Sequence, residues 1–280
     1  MSDVSDAARR RYWIEQMEAA WAYMKAIESY PVRECGERIV PLPAAAEEAG
    51  VEVCFSATRT ARGCKRIHRL REGLLPAFLS AARDMNRRGW VLKVEDGYRT
   101  RHIQKYLSHR RVIFDAILRQ VTWELGGRRP GPAHMLRRVT ALVATKPKIG
   151  THMSGSALDI SVLRRGSGVE LDRGGPYLTL SEATPMTSPF VSRGARRNRE
   201  AISALMAAHG FHAYPYEFWH YSSGDAYAET LTGTRLPARY GPVDLDLRSG
   251  RVTPIEDPLR LLNDTRDIQS AIACALRRAV

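Results

Sequence analysis

Apolar positions recur at helical spacing in the first half of the chain and in short alternating runs in the second half. From about residue 5 to 29, apolar side chains stand three and four residues apart, which predicts an amphipathic helix. Similar patterns predict further helices at about 75–88, 103–125, 133–144, 198–209 and 264–278. Short apolar runs predict strands at 51–55, 90–94 and 157–163, and a hairpin with arms 211–214 and 218–221 around Pro215.

The order of these elements indicates an α+β fold, in which helices flank a small central antiparallel sheet. The segment 166–189 is rich in Gly, Pro, Ser and Thr, and we predict a long loop there, of a length that often has a function. No internal repeat and no low-complexity linker divides the chain. We therefore expect a single domain over residues 1–280.

The composition is typical of a globular protein, with 44% hydrophobic and 26% charged residues among 280. A net charge of +13 favours anionic partners in general, but the Lys and Arg residues are dispersed and no nucleic-acid-binding motif accompanies them. We expect a solvated basic surface and no nucleic-acid partner. Because no apolar run could span a membrane and no secretory signal follows the polar start, the expected location is the cytoplasm.

Two short segments, Gly150 to Asp159 and Glu217 to Tyr221, contain the residue types that a catalytic zinc site needs. Such a site takes three ligands from His and Asp or Glu side chains and leaves one position for water. His152 lies among small residues, Asp159 begins an alternating strand, and His220 lies in a second strand. We predict that these three side chains bind one zinc ion on the sheet.

Glu217 stands three residues before His220, and positions three apart in a regular strand point to opposite faces. If both serve one site, Glu217 must lie in the turn after Pro215 or at a bulge. A carboxylate near the metal but not bound to it can act as general acid and base. Arg99, at the predicted end of a strand, is the candidate cation for the negative charge that develops on the reacting carbonyl.

Each of these residues taken alone is more often an ordinary surface or hydrogen-bonded residue than part of a site. The sequence Glu-Phe-Trp-His could be an aromatic strand, and Arg99 could be one more surface arginine. The combination is far more specific than its parts. The remaining histidines stand without such neighbours, and we interpret His209 and His212, on either side of Gly210, as capping or surface residues.

The pattern His-x-x-Gly-x-Ala-x-Asp followed by Glu-x-Trp-His resembles the D-alanyl-D-alanine dipeptidases of the vancomycin-resistance type. These belong to a wider group of zinc peptidases that includes D-Ala-D-Ala carboxypeptidases, lysostaphin and the hedgehog domain. The resemblance runs from about Leu75 to Tyr221, which makes the rest of the chain N- and C-terminal extensions. It implies an α+β fold with a central antiparallel sheet, zinc bound by His152, Asp159 and His220, Glu217 as acid and base, and Arg99 as the group that steadies the transition state.

Three departures from the family pattern concern the substrate. Thr100 replaces the usual proline after Tyr-Arg, and Gly150 replaces a serine two positions before the first ligand, although Thr151 could still donate a hydrogen bond to a substrate carboxylate. The dipeptidases hold the free amine of the substrate with an aspartate that follows a Pro-Met turn and a phenylalanine. The similar stretch from Pro185 to Phe190 is followed here by Val191.

The sequence therefore favours zinc-dependent hydrolysis of a short D-amino-acid peptide, by a dipeptidase or a carboxypeptidase. A zinc amidase for a specialised small amide is the alternative that the changes at Gly150 and Val191 suggest. A binding protein that kept the zinc fold without turnover is a further alternative. A basic nucleic-acid-binding module is the last, and its DNA binding would depend steeply on salt. The oligomeric state and the role of the extensions stay open.

Overall fold

The computed structural model describes residues 5–60 and 63–278. The helices are α1 Asp6–Ser29, α2 Leu42–Glu48, α3 Leu75–Arg87, α4 Arg101–Leu107, α5 Arg111–Glu124, α6 Pro132–Val143, α7 Arg193–Ala208, α8 Ala226–Thr232 and α9 Thr265–Arg278. The strands are β1 Ile39–Pro41, β2 Val53–Phe55, β3 Arg69–Arg71, β4 Trp90–Asp96, β5 Ala157–Arg164, β6 His212–Ala213, β7 His220–Ser222, β8 Val243–Leu245 and β9 Val252–Pro254. The predicted α+β class is confirmed.

The central sheet has five strands in the order β2-β4-β5-β7-β6. The pairs from β4 to β6 are antiparallel, as predicted, whereas β2 runs parallel to β4 and makes the sheet mixed. The parallel pair forms because α3 crosses from one edge of the sheet to bring the chain back in the same direction. The core of this layer is apolar: Leu92, Val94, Ile160 and Val162 of the strands pack with Phe78 of α3.

A second hydrophobic cluster joins α1, α4, α5, α6 and α9 into a helical layer. The predicted helix 103–125 is wrong in one respect, because the chain leaves helical geometry at Arg110 and α4 and α5 are separate. No proline or glycine marks this break, so the periodic spacing of apolar residues predicted one continuous helix. Along the described ranges, no helix combines the length and apolarity that crossing a membrane requires.

Several short elements of the chain were not predicted. The chain after residue 235 contains the antiparallel pair β8–β9, for which no strand was predicted. Helices α2 and α8 and the pair β1–β3 were also missed, since three to seven residues are too few for a periodic pattern to show. The long loop is confirmed: neither helix nor strand occurs from residue 165 to 192.

Candidate metal centre and catalytic site

The three predicted zinc ligands meet on adjacent elements. Asp159 of β5 is paired directly with His220 of β7, and His152 lies in the 3-10 turn Thr151–Ser154 just before β5. The Asp159 Oδ1 atom lies 3.1 Å from His152 Nε2 and 3.0 Å from His220 Nδ1. All three ligand atoms lie within 4.8 Å of one another, and all three residues are buried.

The donor set suits a zinc ion. Two imidazole nitrogens and one carboxylate oxygen converge, which is the ligand type and number of a catalytic zinc site that keeps one position free. The other ring nitrogens have partners of their own: His152 Nδ1 lies 2.7 Å from the Gly97 carbonyl oxygen, and His220 Nε2 lies 3.0 Å from Thr151 Oγ1. Such contacts fix the ring orientation and the tautomer of a metal-binding histidine.

Charges in this cluster favour the protonation states that a metal needs. Burial by itself would raise the pKa of Asp159, but His152 and Arg99 outweigh it and hold that pKa well below the usual range. Burial lowers the pKa of His220, which keeps the imidazole neutral. An ionised carboxylate and neutral imidazoles are the forms that coordinate zinc.

Glu217 lies in the turn between β6 and β7, as the sequence predicted. The strand β7 begins only at His220, whose backbone N–H donates to the Glu217 carbonyl oxygen at 3.3 Å. The Glu217 side chain is buried and lines the same cavity as the three ligands. Burial raises its pKa well above the usual range, and the negative charge of Asp159 adds to that rise.

Arg99 is held between two carboxylates at the end of β4. Its Nε donates to Asp96 Oδ2 at 2.8 Å and its Nη2 donates to Asp159 Oδ2 at 2.6 Å. The guanidinium therefore lies beside the metal ligands, on the wall of the cavity that also holds Glu217. Thr151, predicted to bind a substrate carboxylate, contacts His220 with its hydroxyl, and its binding role stays a prediction.

Tyr177 and Asp96 belong to the site and were not predicted to. The Tyr177 hydroxyl donates to Asp159 Oδ2 at 2.8 Å, and its ring makes an edge contact with Trp219. Tyr177 comes from the long loop, whose sequence has no periodicity that could place a side chain. The positive φ of the next residue, Leu178 at 67°, marks a backbone conformation uncommon outside glycine and typical of functional loops.

The long loop is fastened to the sheet by Arg199 of α7. This buried guanidinium donates to the backbone carbonyls of Arg173, Ala183, Pro185 and Met186. It also stacks over the Phe218 ring, with 4.2 Å between Cζ and the ring centroid. Arg199 thereby links the loop that supplies Tyr177 to the turn that supplies Glu217.

Val191, the residue that follows the stretch similar to the dipeptidases, is not among the residues that line the cavity. The cavity wall is formed instead by Leu178 and Leu180, and Val191 packs near Gly174, where an added Cβ would come within 2.3 Å of its side chain.

Residues 77–237 match the sequence profile of a peptidase family described as D-ala-D-ala dipeptidase, which is more than half of the chain. This chain belongs to that family. The assignment confirms the enzyme class predicted from the sequence, a zinc metallopeptidase, and His152, Asp159 and His220 form a group that could hold its metal ion.

Individual relatives are distant. A D-alanyl-D-alanine dipeptidase of Enterococcus faecium is 30% identical over 71 residues, and one of Enterococcus faecalis is 25% identical over 71 residues. The match covers 25% of this chain and 35% of each relative. Similar solved structures are the LD-carboxypeptidase LdcB, with 20% identity over 74% of this chain and 77% of that chain and a TM-score of 0.37, and the vancomycin-resistance D,D-pentapeptidase VanY in complex with Zn(II), with 17% identity over 61% and 82% and a TM-score of 0.36.

Proposed function

We propose that this protein is a zinc-dependent peptidase that hydrolyses a peptide bond in a short peptide containing D-amino acids. The observation that carries the proposal is the convergence of His152 Nε2, Asp159 Oδ1 and His220 Nδ1 in a cavity that also contains Glu217 and Arg99. The family profile and the two enterococcal relatives named as D-alanyl-D-alanine dipeptidases support the substrate class.

Zinc and Glu217 have distinct roles in this reaction. Zinc, when bound, supplies a Lewis acid that activates water and polarises a carbonyl. Glu217 accepts the proton of the attacking water and later delivers it to the departing amine. Burial and the negative charge of Asp159 raise the pKa of Glu217, which favours the protonated form that delivers a proton to the departing amine.

Arg99 stabilises the negative charge that develops on the carbonyl oxygen of the substrate. A fixed cation at the reacting centre costs no reorganisation during the reaction. Asp96 keeps the guanidinium in place through the 2.8 Å hydrogen bond to Nε, and Tyr177 restrains the second oxygen of Asp159. The Arg99 side chain thus needs little movement to reach an oxyanion beside Asp159.

The test is hydrolysis of D-Ala-D-Ala, N-acetyl-D-Ala-D-Ala and a longer peptide ending in D-Ala-D-Ala by zinc-loaded protein, with the corresponding L-peptides as controls. We expect turnover of at least one D-peptide, no turnover of the L-peptides, and turnover by Glu217→Gln that is about 10²- to 10⁴-fold lower than that of the wild type. Release of alanine by the variant at the wild-type rate would contradict the role of Glu217. If zinc-loaded wild-type protein hydrolyses none of the D-peptides, the proposed substrate class is contradicted.

A further inference from the structure

The cavity has a wall that the family profile does not include. Thr60 and Arg66 line it, and both precede residue 77, where the match to the family begins. The backbone next to Arg66 lies directly against the end of β4: Ile67 forms a bridge with Tyr98. Gly97 permits this approach, because a Cβ there would lie 2.8 Å from the Ile67 carbonyl oxygen.

Arg66 is anchored at one end and lacks hydrogen-bond partners at the other. Its Nε donates to the Thr58 carbonyl oxygen at 2.9 Å and to the Thr58 hydroxyl at 3.0 Å. Its side chain is 4% exposed, and within the described ranges its Nη1 is a buried atom without a hydrogen bond. Asp96 Oδ2 lies 3.2 Å from Nη1, but it already accepts from Arg99 and makes no hydrogen bond with Arg66.

One further group on this wall is a buried donor without a partner in the described part of the chain. The Thr60 hydroxyl is buried, and among residues 5–60 and 63–278 it has no hydrogen-bond partner. Buried donors without partners cost free energy, so their most direct explanation is a ligand that accepts from them.

The acids of the cavity are all engaged. The described lining contains Asp96, Asp159 and Glu217. Asp96 faces Arg66 and Arg99, Asp159 belongs to the metal centre, and Glu217 performs the proton transfers. No carboxylate is left for a substrate ammonium, and a buried ammonium without one is strongly disfavoured.

The rest of the wall is apolar. Leu178 and Leu180 come from the long loop, and Leu107, Ile113 and Leu142 come from the helical layer. Such a surface accommodates an acyl group or a methyl side chain better than a charged amine. The cavity therefore combines unpartnered donors at one wall with an uncharged surface at another.

We propose that Arg66, with Thr60, binds the carboxylate of the substrate, and that the substrate is a short peptide whose amine is blocked by an acyl group. The inference rests on the proposed function, since it assigns the substrate of that same cavity. Arg66 is a specificity residue here: its contact is with the carboxylate and it takes no part in proton transfer.

Binding separates this proposal from catalysis. Zinc-loaded Glu217→Gln protein is titrated by calorimetry with N-acetyl-D-Ala-D-Ala, with its C-terminal carboxamide and with free D-Ala-D-Ala. We expect the acetylated carboxylate to bind best. A hydrogen-bonded charge pair of this kind corresponds to a preference of about 10- to 100-fold over the carboxamide.

The same titrations are repeated after a second substitution, Arg66→Met. We expect affinity for the acetylated carboxylate to fall about 10- to 100-fold and affinity for the carboxamide to change little, so that the preference disappears. Arg66→Lys should restore part of it. Arg165→Met, which removes an exposed arginine paired with Glu52, is the matched control and should change neither affinity.

The remaining outcomes contradict either this proposal or the proposed function. An equal loss of affinity for both acetylated compounds would show that Arg66 only positions Asp96 and Arg99 and does not recognise the carboxylate. Tighter binding of free D-Ala-D-Ala would contradict the proposal that the amine of the substrate is blocked. If none of the three compounds binds, the proposed substrate class is contradicted. If the preference is found but wild-type protein hydrolyses nothing, the proposed function fails and the recognition by Arg66 stands.

Discussion

Two buried glutamates in this protein have opposite surroundings. Glu124, at the end of α5 in the helical layer, accepts hydrogen bonds from Trp13 Nε1 at 3.0 Å, from His134 Nε2 at 2.9 Å and from Arg138. Glu217 lines the cavity of the metal centre near another carboxylate, Asp159. Burial alone would raise the pKa of both.

The neighbours decide which way each pKa moves. The hydrogen bonds and charge of Arg138 overcome burial at Glu124 and lower its pKa. At Glu217 burial prevails, Asp159 reinforces it, Arg99 opposes it in part, and the pKa rises. A buried carboxylate that accepts several hydrogen bonds stays ionised and stabilises the fold. A buried carboxylate with few donors has a raised pKa, which is typical of a group that exchanges protons. The following predictions test that division between a structural acid and a catalytic acid.

The largest effect is expected from His152→Ala. Loss of one of three protein ligands should abolish zinc binding at the site, and turnover should fall to background because the activating metal is gone. The measurement is zinc content by mass spectrometry of the metal after dialysis, together with the rate of peptide hydrolysis. Full zinc occupancy in this variant would show that the ligand assignment is wrong.

Glu217→Gln should reduce turnover by about 10²- to 10⁴-fold, the usual contribution of a general acid and base. Zinc should remain bound, and the thermal midpoint should not fall, because glutamine keeps the shape and removes a buried charge. Zinc content, melting temperature and turnover are measured on one preparation. A variant that is inactive only because it unfolds would assign Glu217 to the structural group.

Glu124→Ala should produce the reverse pattern. Removing the acid leaves Arg138 buried without its main partner, a change that typically costs about 3–5 kcal/mol in the free energy of unfolding. Zinc content and turnover of the protein that remains folded should be unchanged. Glu18→Ala is the control, since Glu18 also pairs with Arg138 but is 44% exposed, and it should cost about 1 kcal/mol or less.

Thr151→Val should weaken zinc binding by about 10- to 100-fold, the usual effect of losing the partner that orients a metal-binding histidine. Competition with a chromophoric chelator gives the dissociation constant. Thr145→Val is the matched control. The Thr145 hydroxyl lies 2.8 Å from Thr140 Oγ1 and, among the described residues, forms no hydrogen bond with a candidate zinc ligand. If Thr151 only binds substrate, Thr151→Val should leave the dissociation constant for zinc unchanged and raise KM.

The smallest effect is the pH dependence of stability at Glu124. Its folded pKa lies below the unfolded value, so its stabilising contribution is present above the unfolded pKa and is lost as the pH falls through the folded pKa. The difference in unfolding free energy between wild type and Glu124→Gln should therefore shrink as the pH is lowered from 7 to 3 in urea titrations. A constant difference would show that Glu124 is not ionised at neutral pH.

The grouping of the candidate zinc ligands was predictable because they belong to two short motifs, and the ligand role of each residue stays a prediction. His152 and Asp159 are seven apart, Glu217 and His220 are three apart, and the alternation of neighbouring apolar residues fixed which face each strand presents. The spacing argument also located Glu217 in a turn, which the beginning of β7 at His220 confirms. Helices α1, α3 and α6 were predicted within a few residues because their apolar stripes are long.

The walls of the cavity could not be predicted in the same way. Tyr177 and Arg66 reach the site from segments without regular structure, and their positions depend on contacts distant in sequence. Arg66 depends on the close approach permitted by Gly97, and Tyr177 depends on a loop fastened by Arg199. Neither kind of contact leaves a periodic pattern. The parallel pairing of β2 was missed for a similar reason, since a three-residue strand does not indicate its direction.

The fastening of the long loop by Arg199 has a consequence for protein engineering. The loop supplies Leu178 and Leu180 to the cavity, while every zinc ligand comes from β5, β7 or the turn before β5. With Tyr177 kept for its hydrogen bond to Asp159, the other side chains between the anchored carbonyls can therefore be randomised as a compact library without altering the candidate metal ligands. Under the proposed function, selection from such a library on acyl groups of different size would test whether this loop determines substrate preference.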